Sequence, residues 1–128
     1  MSSQSSAKYL YAATAAVAIG LVVFAVVKNS TPSLYDEFAQ CLTDNGVKMY
    51  GTWWCSHCQN QKELFGNSFE KINYIECSNK AREIKQECKD AGVEGFPTWQ
   101  FVDGSLASGE QSLESLAEKS GCALPEGL

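Results

Sequence analysis

An uninterrupted apolar run opens the chain. Residues Tyr9–Val27 carry no charge, and Lys8 and Lys28 close the run at its two ends. A helix of this length is about long enough to cross the ~30 Å hydrocarbon core of a bilayer. The pattern therefore predicts one transmembrane helix at about 9–27, within a membrane anchor of residues 1–28. The alternatives are a cleaved signal peptide, whose apolar region is usually shorter, and a buried helix of a soluble fold.

A polar linker at residues 29–33 separates this run from shorter apolar segments. Apolar residues that recur every three or four positions predict helices at 34–44, 55–66, 80–91 and 112–120. Segments rich in β-branched and aromatic residues predict strands at 47–52 and 72–77, and a hairpin of 99–102 with 105–107. The order αβαβαββα favours an α/β domain over 34–128, with a central mixed β-sheet flanked by helices.

Charge and cysteine content narrow the possible functions. The 128 residues carry a formal net charge of −5. Because an acidic chain lacks the basic surface that neutralises phosphates, we expect no nucleic-acid partner. Six cysteines in so short a chain require disulfides, a metal site or thiol chemistry, and they favour a domain on the extracytoplasmic side of a membrane, where disulfides persist.

Two of the cysteines lie where a predicted strand passes into a predicted helix. The segment Trp53–Cys58 reads Trp-Trp-Cys-Ser-His-Cys. One helical turn brings Cys55 and Cys58 together, and the unpaired N–H groups of a helix start favour a thiolate on Cys55. His57, when cationic, would add to this stabilisation. We expect Cys55 to be exposed and to exchange with clients, and Cys58 to be buried and to act as the resolving thiol.

Metal binding is the alternative for these cysteines. Cys55, Cys58, Cys77 and Cys88 loosely resemble a four-cysteine zinc pattern, but ten residues separate the last two, where two to four are usual. We therefore predict no bound metal and no cofactor other than a redox-active Cys55–Cys58 disulfide. Two further hypotheses stay open: a metallochaperone or assembly factor that binds copper or zinc through the same two cysteines, and a purely structural disulfide.

Several short stretches between residues 34 and 122 carry a family resemblance. They are Lys48–Gly51, Trp54–Cys58, Gln61–Lys62, Phe65–Gly66, Tyr74–Cys77, Gly95–Trp99 and Gly109–Gln111 with Leu113. In these motifs the chain resembles thioredoxin-like domains, most closely those fused to, or working beside, homologues of vitamin K epoxide reductase. The resemblance implies a thioredoxin-like fold and a thiol-disulfide oxidoreductase. It further implies exchange between client proteins with cysteines and a membrane oxidase that passes electrons to a quinone.

The resemblance also implies a client site around Pro97. In a thioredoxin-type fold, the position about forty residues after the cysteine pair carries a cis-proline that faces the dithiol. Such a bond would turn the backbone of Phe96 toward the cleft, where it can pair with an extended client segment. Of the two tryptophans, we expect one in the core and the other as an apolar wall beside the dithiol, and we assign Trp54 to client binding.

The other four cysteines are candidates for structural disulfides. Cys77 ends a predicted strand and Cys88 lies in the next predicted helix, and the family resemblance suggests a disulfide between them. Cys41 and Cys122 lie near the two ends of the domain and could tie these ends together. Because six cysteines permit fifteen connectivities, the sequence leaves the pairing open.

Two features depart from the family pattern. The chain has one apolar span, so we expect the multi-helix quinone-reducing domain on a separate protein. Cytoplasmic thioredoxins carry a buried acid six residues before the first cysteine, whereas Met49 holds that position here. The sequence shows no proton acceptor for Cys58, which favours the oxidising direction of exchange.

Overall fold

A computed structural model describes residues 3–29 and 33–126 of the chain. The chain divides into two units, Met1–Pro32 and Ser33–Leu128. Residues 30–32 of the predicted linker, and residues 127–128 of the predicted second domain, lie outside the described residues.

The first unit is a single long helix, α1 (Ser3–Asn29). Within it, Ser6–Val27 is a segment of 22 residues that is long and apolar enough to cross a membrane, and none of it is buried. It contains the whole predicted span of 9–27. In the described part of the chain, this is the one helix that meets the requirement.

The second unit alternates helices and strands in the predicted order. Its helices are α2 (Asp36–Asp44), α3 (Ser56–Phe65), α4 (Gln86–Asp90) and α5 (Leu113–Ser120), with a 3₁₀ turn at Gly66–Lys71. Its strands are β1 (Lys48–Gly51), β2 (Tyr74–Glu76), β3 (Thr98–Gln100) and β4 (Leu106–Ser108).

One four-stranded sheet organises this unit. The strand order is β2-β1-β3-β4; β1 runs parallel to β2 and antiparallel to β3, and β4 runs antiparallel to β3. At the centre of the sheet, Met49 lies opposite Tyr74 on one side and Trp99 on the other. A mixed sheet flanked by helices confirms the predicted α/β class and is consistent with a thioredoxin-like fold.

The buried face of α3 fixes this helix in the second unit's core. Cys58, Gln61 and Phe65, spaced three and four residues apart, are all buried, as expected for residues on one side of a helix. The Phe65 ring stacks on Phe38 of α2 at a centroid distance of 6.0 Å. Gln61 Oε1 accepts a hydrogen bond of 3.2 Å from the indole Nε1 of Trp99 in β3. The middle and the end of α3 are therefore held by both apolar packing and a buried hydrogen bond.

The helix predicted over 80–91 is largely wrong. Only Gln86–Asp90 of that range is helical. The Asn79 side chain explains the difference, because its Oδ1 accepts hydrogen bonds from the backbone N–H groups of Ala81 at 2.8 Å and Glu83 at 3.0 Å. Such a local side-chain turn offers the backbone an alternative to helical hydrogen bonds.

Two disulfides take up the four remaining cysteines. Cys41 pairs with Cys122 across a sequence separation of 81, and Cys77 pairs with Cys88 across 11. On the chain-entropy model these closures stabilise the fold by about 4.5 and about 3 kcal/mol, respectively. We call the segment between the second pair, Cys77–Cys88, the cystine loop. In the described part of the chain, Cys55 and Cys58 are the free thiols.

Candidate active site

The sulfur of Cys55 caps the start of α3. After β1 ends at Gly51, the backbone N–H of Cys55 closes a turn onto the Thr52 carbonyl at 3.2 Å. Cys55 itself is extended, with φ −82° and ψ 117°. Its Sγ accepts a hydrogen bond of 3.2 Å from the backbone N–H of Cys58, the role usually filled by a serine, threonine or aspartate oxygen. The helix start therefore presents N–H groups to an atom that can carry negative charge.

The other side of Cys55 faces the backbone before Pro97. The thiol donates to the carbonyl oxygen of Phe96 at 3.5 Å. The peptide bond between Phe96 and Pro97 is cis, and Pro97 is fully buried. The structure thus brings together three of the residues singled out from the sequence.

The expectation that Cys55 is exposed is wrong. Its exposed fraction is 9%, because the start of α3 covers one side of the sulfur and the Phe96 carbonyl lies against another. Little of Cys55 is therefore accessible from solvent.

Cys58 is fully buried one turn behind Cys55. Burial, together with a hydrogen bond to the Cys55 sulfur, raises the pKa of the Cys58 thiol from 9.0 to about 12. A backbone hydrogen bond from Thr52 and the charge of Lys62 oppose this rise without cancelling it. Met49, six residues before Cys55, is buried and offers no carboxylate. Cys58 is therefore a neutral thiol at physiological pH.

Gly51 lets the Tyr74 ring and the Cys58 sulfur approach the same point of β1. A Cβ atom at Gly51 would lie 2.8 Å from Tyr74 Cε2 and 3.2 Å from Cys58 Sγ, closer than such contacts normally allow. The ammonium of Lys62 lies 3.9 Å from the Tyr74 ring centroid. This cation–π contact holds the ring beside the buried sulfur.

In the described part of the chain, His57 forms no hydrogen bond with either sulfur. Its Nδ1 instead pairs with Glu110 Oε1 at 2.6 Å, and 70% of its side chain is exposed. Asn60 also donates to this Glu110 oxygen, at 3.2 Å. The His57 and Asn60 hydrogen bonds lower the pKa of the Glu110 carboxyl. That a cationic His57 stabilises a Cys55 thiolate stays a prediction.

The expectation that one of Trp53 and Trp54 packs in the core is also wrong. Trp53 is 48% exposed and Trp54 is 40% exposed. Trp53 is anchored at its edge, because its indole Nε1 donates to the Asn79 carbonyl at 3.3 Å and its ring lies 5.3 Å from the Arg82 guanidinium. Two aromatic surfaces therefore face outward in the residues directly before Cys55.

Sequence reasoning missed Glu76, the last residue of β2. Its half-buried carboxylate accepts four hydrogen bonds, one of them from the backbone N–H of Trp53 at 3.2 Å. The signal that could have found it is strand register: β1 and β2 are parallel, and Glu76 lies opposite Gly51, where the chain leaves the sheet toward the dithiol.

The chemistry available here is that of a dithiol. Within residues 3–29 and 33–126, no group of three or more histidine, cysteine, aspartate or glutamate side chains is placed to hold a metal ion. Cys55 offers a capped, narrowly accessible sulfur, and Cys58 offers a buried thiol one turn away. A pair of this kind can form and open a small disulfide ring.

Comparison with known proteins agrees with this chemistry. No protein-family model matches the chain. It is 42% identical, over 84% of its length, to the thiol-disulfide oxidoreductase LTO1 of Arabidopsis thaliana. It is 32% identical over 65% of its length to the thioredoxin domain-containing protein 5 homolog of Drosophila melanogaster, and 27% identical over 75% to the protein disulfide-isomerase erp38 of Neurospora crassa.

The chain spans less than a third of these relatives, covering 30%, 22% and 26% of their lengths, respectively. Two of the names state thiol-disulfide chemistry, and the third states a thioredoxin domain. The mixed sheet with flanking helices is consistent with a thioredoxin-like fold. The relatives and the fold together support an oxidoreductase of the thioredoxin superfamily.

Proposed function

We propose that this protein is a membrane-anchored thiol-disulfide oxidoreductase that exchanges disulfides with client proteins through Cys55 and Cys58. The observation that carries the proposal is the position of the Cys55 sulfur, which caps α3 at 3.2 Å from the Cys58 N–H. Helix-start N–H groups stabilise a thiolate, and a thiolate is both the attacking and the leaving form in disulfide exchange.

The first step of the proposed reaction starts from the oxidised protein. A client thiolate attacks Cys55 Sγ, so a bond forms between the client and Cys55 while the Cys55–Cys58 bond breaks. Cys58 leaves with the electron pair and takes up a proton, since its pKa of about 12 keeps the thiol neutral at physiological pH. Neutralisation of the buried leaving group opposes the reverse attack.

The second step releases the oxidised client. A second client thiolate attacks the client sulfur of the mixed disulfide, and Cys55 leaves with the electron pair of the broken bond. The client now holds a disulfide, and Cys55 and Cys58 hold two electrons as a dithiol. The high pKa of Cys58 and the absence of an acid at Met49 support this oxidising direction.

The dithiol is reoxidised by transferring its two electrons and two protons to a disulfide of a membrane partner. We propose a quinone-linked homologue of vitamin K epoxide reductase for this role. The support is the motif resemblance to thioredoxin-like domains that work beside such enzymes. The quinone belongs to the partner, so this chain needs no cofactor of its own.

We propose that clients bind as extended segments beside Cys55. The Phe96 carbonyl lies 3.5 Å from the Cys55 sulfur and belongs to the cis peptide bond before Pro97. An extended client can pair its backbone with the backbone at Phe96, as in strand addition. Trp54, which is exposed directly before Cys55, supplies an apolar surface for client side chains.

We propose that α1 anchors the protein and that the second unit lies on the extracytoplasmic side. The anchor is supported by the 22-residue apolar segment of α1. The side is supported by the two disulfides of the second unit, since structural disulfides persist in oxidising compartments. Labelling of Cys55 in intact cells or sealed vesicles by a membrane-impermeant thiol reagent tests the side.

Trapping of mixed disulfides tests the proposed reaction. The full chain in detergent micelles carries Cys58→Ser, is activated at Cys55 with a small disulfide reagent, and is mixed with reduced, unfolded ribonuclease. We expect a covalent complex on non-reducing gels, and dithiothreitol should cleave it. Without Cys58 the reverse attack on Cys55 is blocked, so the complex persists until a second client thiolate releases it.

Cys55→Ser is the matched control, because it keeps an oxygen cap on α3 but removes the exchanging sulfur. It should give no complex, although Cys58 is still present. Equal amounts of complex from both variants, or none from Cys58→Ser, would contradict the proposal. The reduction potential of the wild type then fixes the direction: a value near −120 mV supports client oxidation, and one near about −270 mV supports client reduction.

A further inference from the structure

The Glu76 carboxylate joins three segments around the dithiol. Its Oε1 accepts from the backbone N–H of Trp53 at 3.2 Å, from the backbone N–H of Ser78 at 3.0 Å and from the Ser78 hydroxyl at 2.8 Å. Its Oε2 accepts from the Tyr74 hydroxyl at 2.8 Å. One side chain thus fastens the loop before Cys55, the turn after β2 and the ring beside the buried thiol.

The hydrogen bond from the Trp53 N–H to Glu76 lies beyond the end of the β1–β2 pairing. The pairing of β1 with β2 ends where Gly51 lies opposite Glu76. The next residues of the chain form the turn in which the Cys55 N–H bonds to the Thr52 carbonyl. A carboxylate oxygen therefore replaces the missing strand at Trp53, two residues before the exchanging sulfur.

The negative charge of Glu76 strengthens its four hydrogen bonds. Burial opposes ionisation of the group, yet hydrogen bonds from Ser78, Tyr74 and Trp53 outweigh it and lower the pKa of the carboxyl. An ionised carboxylate makes shorter and stronger hydrogen bonds than a neutral acceptor. The four bonds at Glu76 are therefore charge-assisted at physiological pH.

Through Ser78, the hydrogen bonds of Glu76 also connect to the cystine loop. Ser78 lies directly after Cys77, whose disulfide to Cys88 closes that loop. The loop also holds the far edge of the Trp53 ring, through the Asn79 carbonyl and the Arg82 guanidinium. Trp53 is thus fixed at its backbone by Glu76 and at its ring by the cystine loop.

We infer that Glu76 is a positioning residue for the redox site, which holds the Trp53 backbone so that the Cys55 sulfur stays at the cap of α3. The inference rests on the proposed function, because it concerns the same dithiol. It gives Glu76 no contact with the client and no proton to carry. Its effect on exchange passes through the position of Cys55.

This role predicts a change in redox equilibrium. In the reduced protein, the Cys58 N–H bond to the Cys55 sulfur stabilises the dithiol over the disulfide, since a thiolate gains from that bond and a disulfide sulfur gains little. If the Trp53 backbone is released, the sulfur leaves the cap for part of the time. The reduced form then loses stabilisation, and the disulfide becomes a weaker oxidant.

The test compares full-length variants in detergent by equilibration with glutathione. For Glu76→Ala we expect the equilibrium constant to shift about tenfold toward the disulfide form, which equals ~30 mV. Glu76→Gln should give a smaller shift in the same direction, because its amide keeps one oxygen for Trp53 but loses the charge. Glu63→Gln, an exposed change on α3, is the matched control and should equal the wild type.

The variants separate this inference from the proposed function. If the wild type and Glu63→Gln fail to exchange with glutathione, the proposed function is overturned. If both exchange, and a folded Glu76→Ala keeps their equilibrium constant within twofold, the positioning role is overturned. Should Glu76→Ala fail to fold, Glu76→Gln decides: a shift of twofold or more supports the role, and a smaller one overturns it.

Discussion

Helices α3 and α5 begin in the same way, yet only one of these starts is suited to chemistry. Cys55 Sγ accepts from the Cys58 N–H at 3.2 Å, and Ser112 Oγ accepts from the Ser115 N–H at 3.1 Å. Both capping residues have extended backbones. The difference is the capping atom: a serine hydroxyl stays neutral, whereas a cysteine sulfur ionises and can change covalent partners. Replacing the capping oxygen with sulfur therefore turns an ordinary helix cap into a reactive site.

The surroundings of the two helices differ in a second way. Beyond the end of α5, Cys122 is locked to Cys41 of α2 by a disulfide. At the start of α3, both thiols are free and the Phe96 carbonyl contacts one of them. The region around α5 therefore uses cysteine for stability, and the start of α3 keeps it available for exchange.

The largest expected effect comes from making the two caps alike. Cys55→Ser gives α3 the same hydroxyl cap as α5, so we expect the free energy of unfolding of the reduced protein to change by no more than about 1 kcal/mol. Exchange with a client should be abolished, because no sulfur is left at the cap of α3. Urea unfolding and a client-refolding assay measure the two quantities; residual exchange would mean that Cys58 is the entry sulfur.

Removal of the α5-side disulfide should have the opposite outcome. Cys41→Ala with Cys122→Ala is expected to cost about 4.5 kcal/mol of stability, because the unfolded chain is no longer closed across a sequence separation of 81. Below the unfolding transition, the glutathione equilibrium of Cys55 should be unchanged. A shifted equilibrium in the folded double variant would show that the two regions are coupled.

A smaller effect should appear in alkaline solution, and only in the reduced protein. The pKa of Cys58 is raised in the folded state from 9.0 to about 12, so the folded protein holds its proton more tightly than the unfolded chain. The associated stability is complete below pH 9 and is lost as the pH rises toward 12.

Urea midpoints of the reduced wild type should therefore fall above pH 9 faster than those of reduced Cys58→Ala. The oxidised wild type, whose disulfide sulfurs do not titrate, serves as a second reference. Parallel midpoints in all three proteins would show that Cys58 ionises normally in the folded state.

The smallest effect is expected at the serine cap itself. Ser112→Ala removes the acceptor for the Ser115 N–H and should cost about 1 kcal/mol, with exchange unaffected. Ser112→Asp supplies another cap oxygen and should restore the urea midpoint. If alanine and aspartate behave alike, the hydroxyl does not cap α5 in solution.

The start of α3 was predictable because its determinants are local. A strand, two cysteines and a helix follow one another within residues 48–65, so this pattern can be recognised without knowledge of distant contacts. The burial of Cys58 was confirmed for this reason. The order of elements and the mixed sheet followed from the same kind of local pattern.

The features that the sequence did not predict depend on contacts between distant residues or on side-chain turns. His57 pairs with Glu110, 53 positions away. No local sequence pattern predicts this pairing. Trp53 stays exposed because Glu76 and Asn79 anchor it from another strand and loop. The predicted helix at 80–91 was lost to hydrogen bonds of a single asparagine side chain. The His57 and Trp53 contacts required knowledge of which segments meet in space, whereas the Asn79 turn is a local alternative to a helix.

The close packing at Gly51 has a consequence for how this protein can change over evolutionary time. An alanine there would strike the Tyr74 ring at 2.8 Å, and the ring could yield only by releasing its bond to Glu76 or its contact with Lys62. A larger residue at position 51 thus becomes tolerable only with a slimmer one at position 74. Among homologues, these two sites should covary, with glycine retained wherever the aromatic ring is kept.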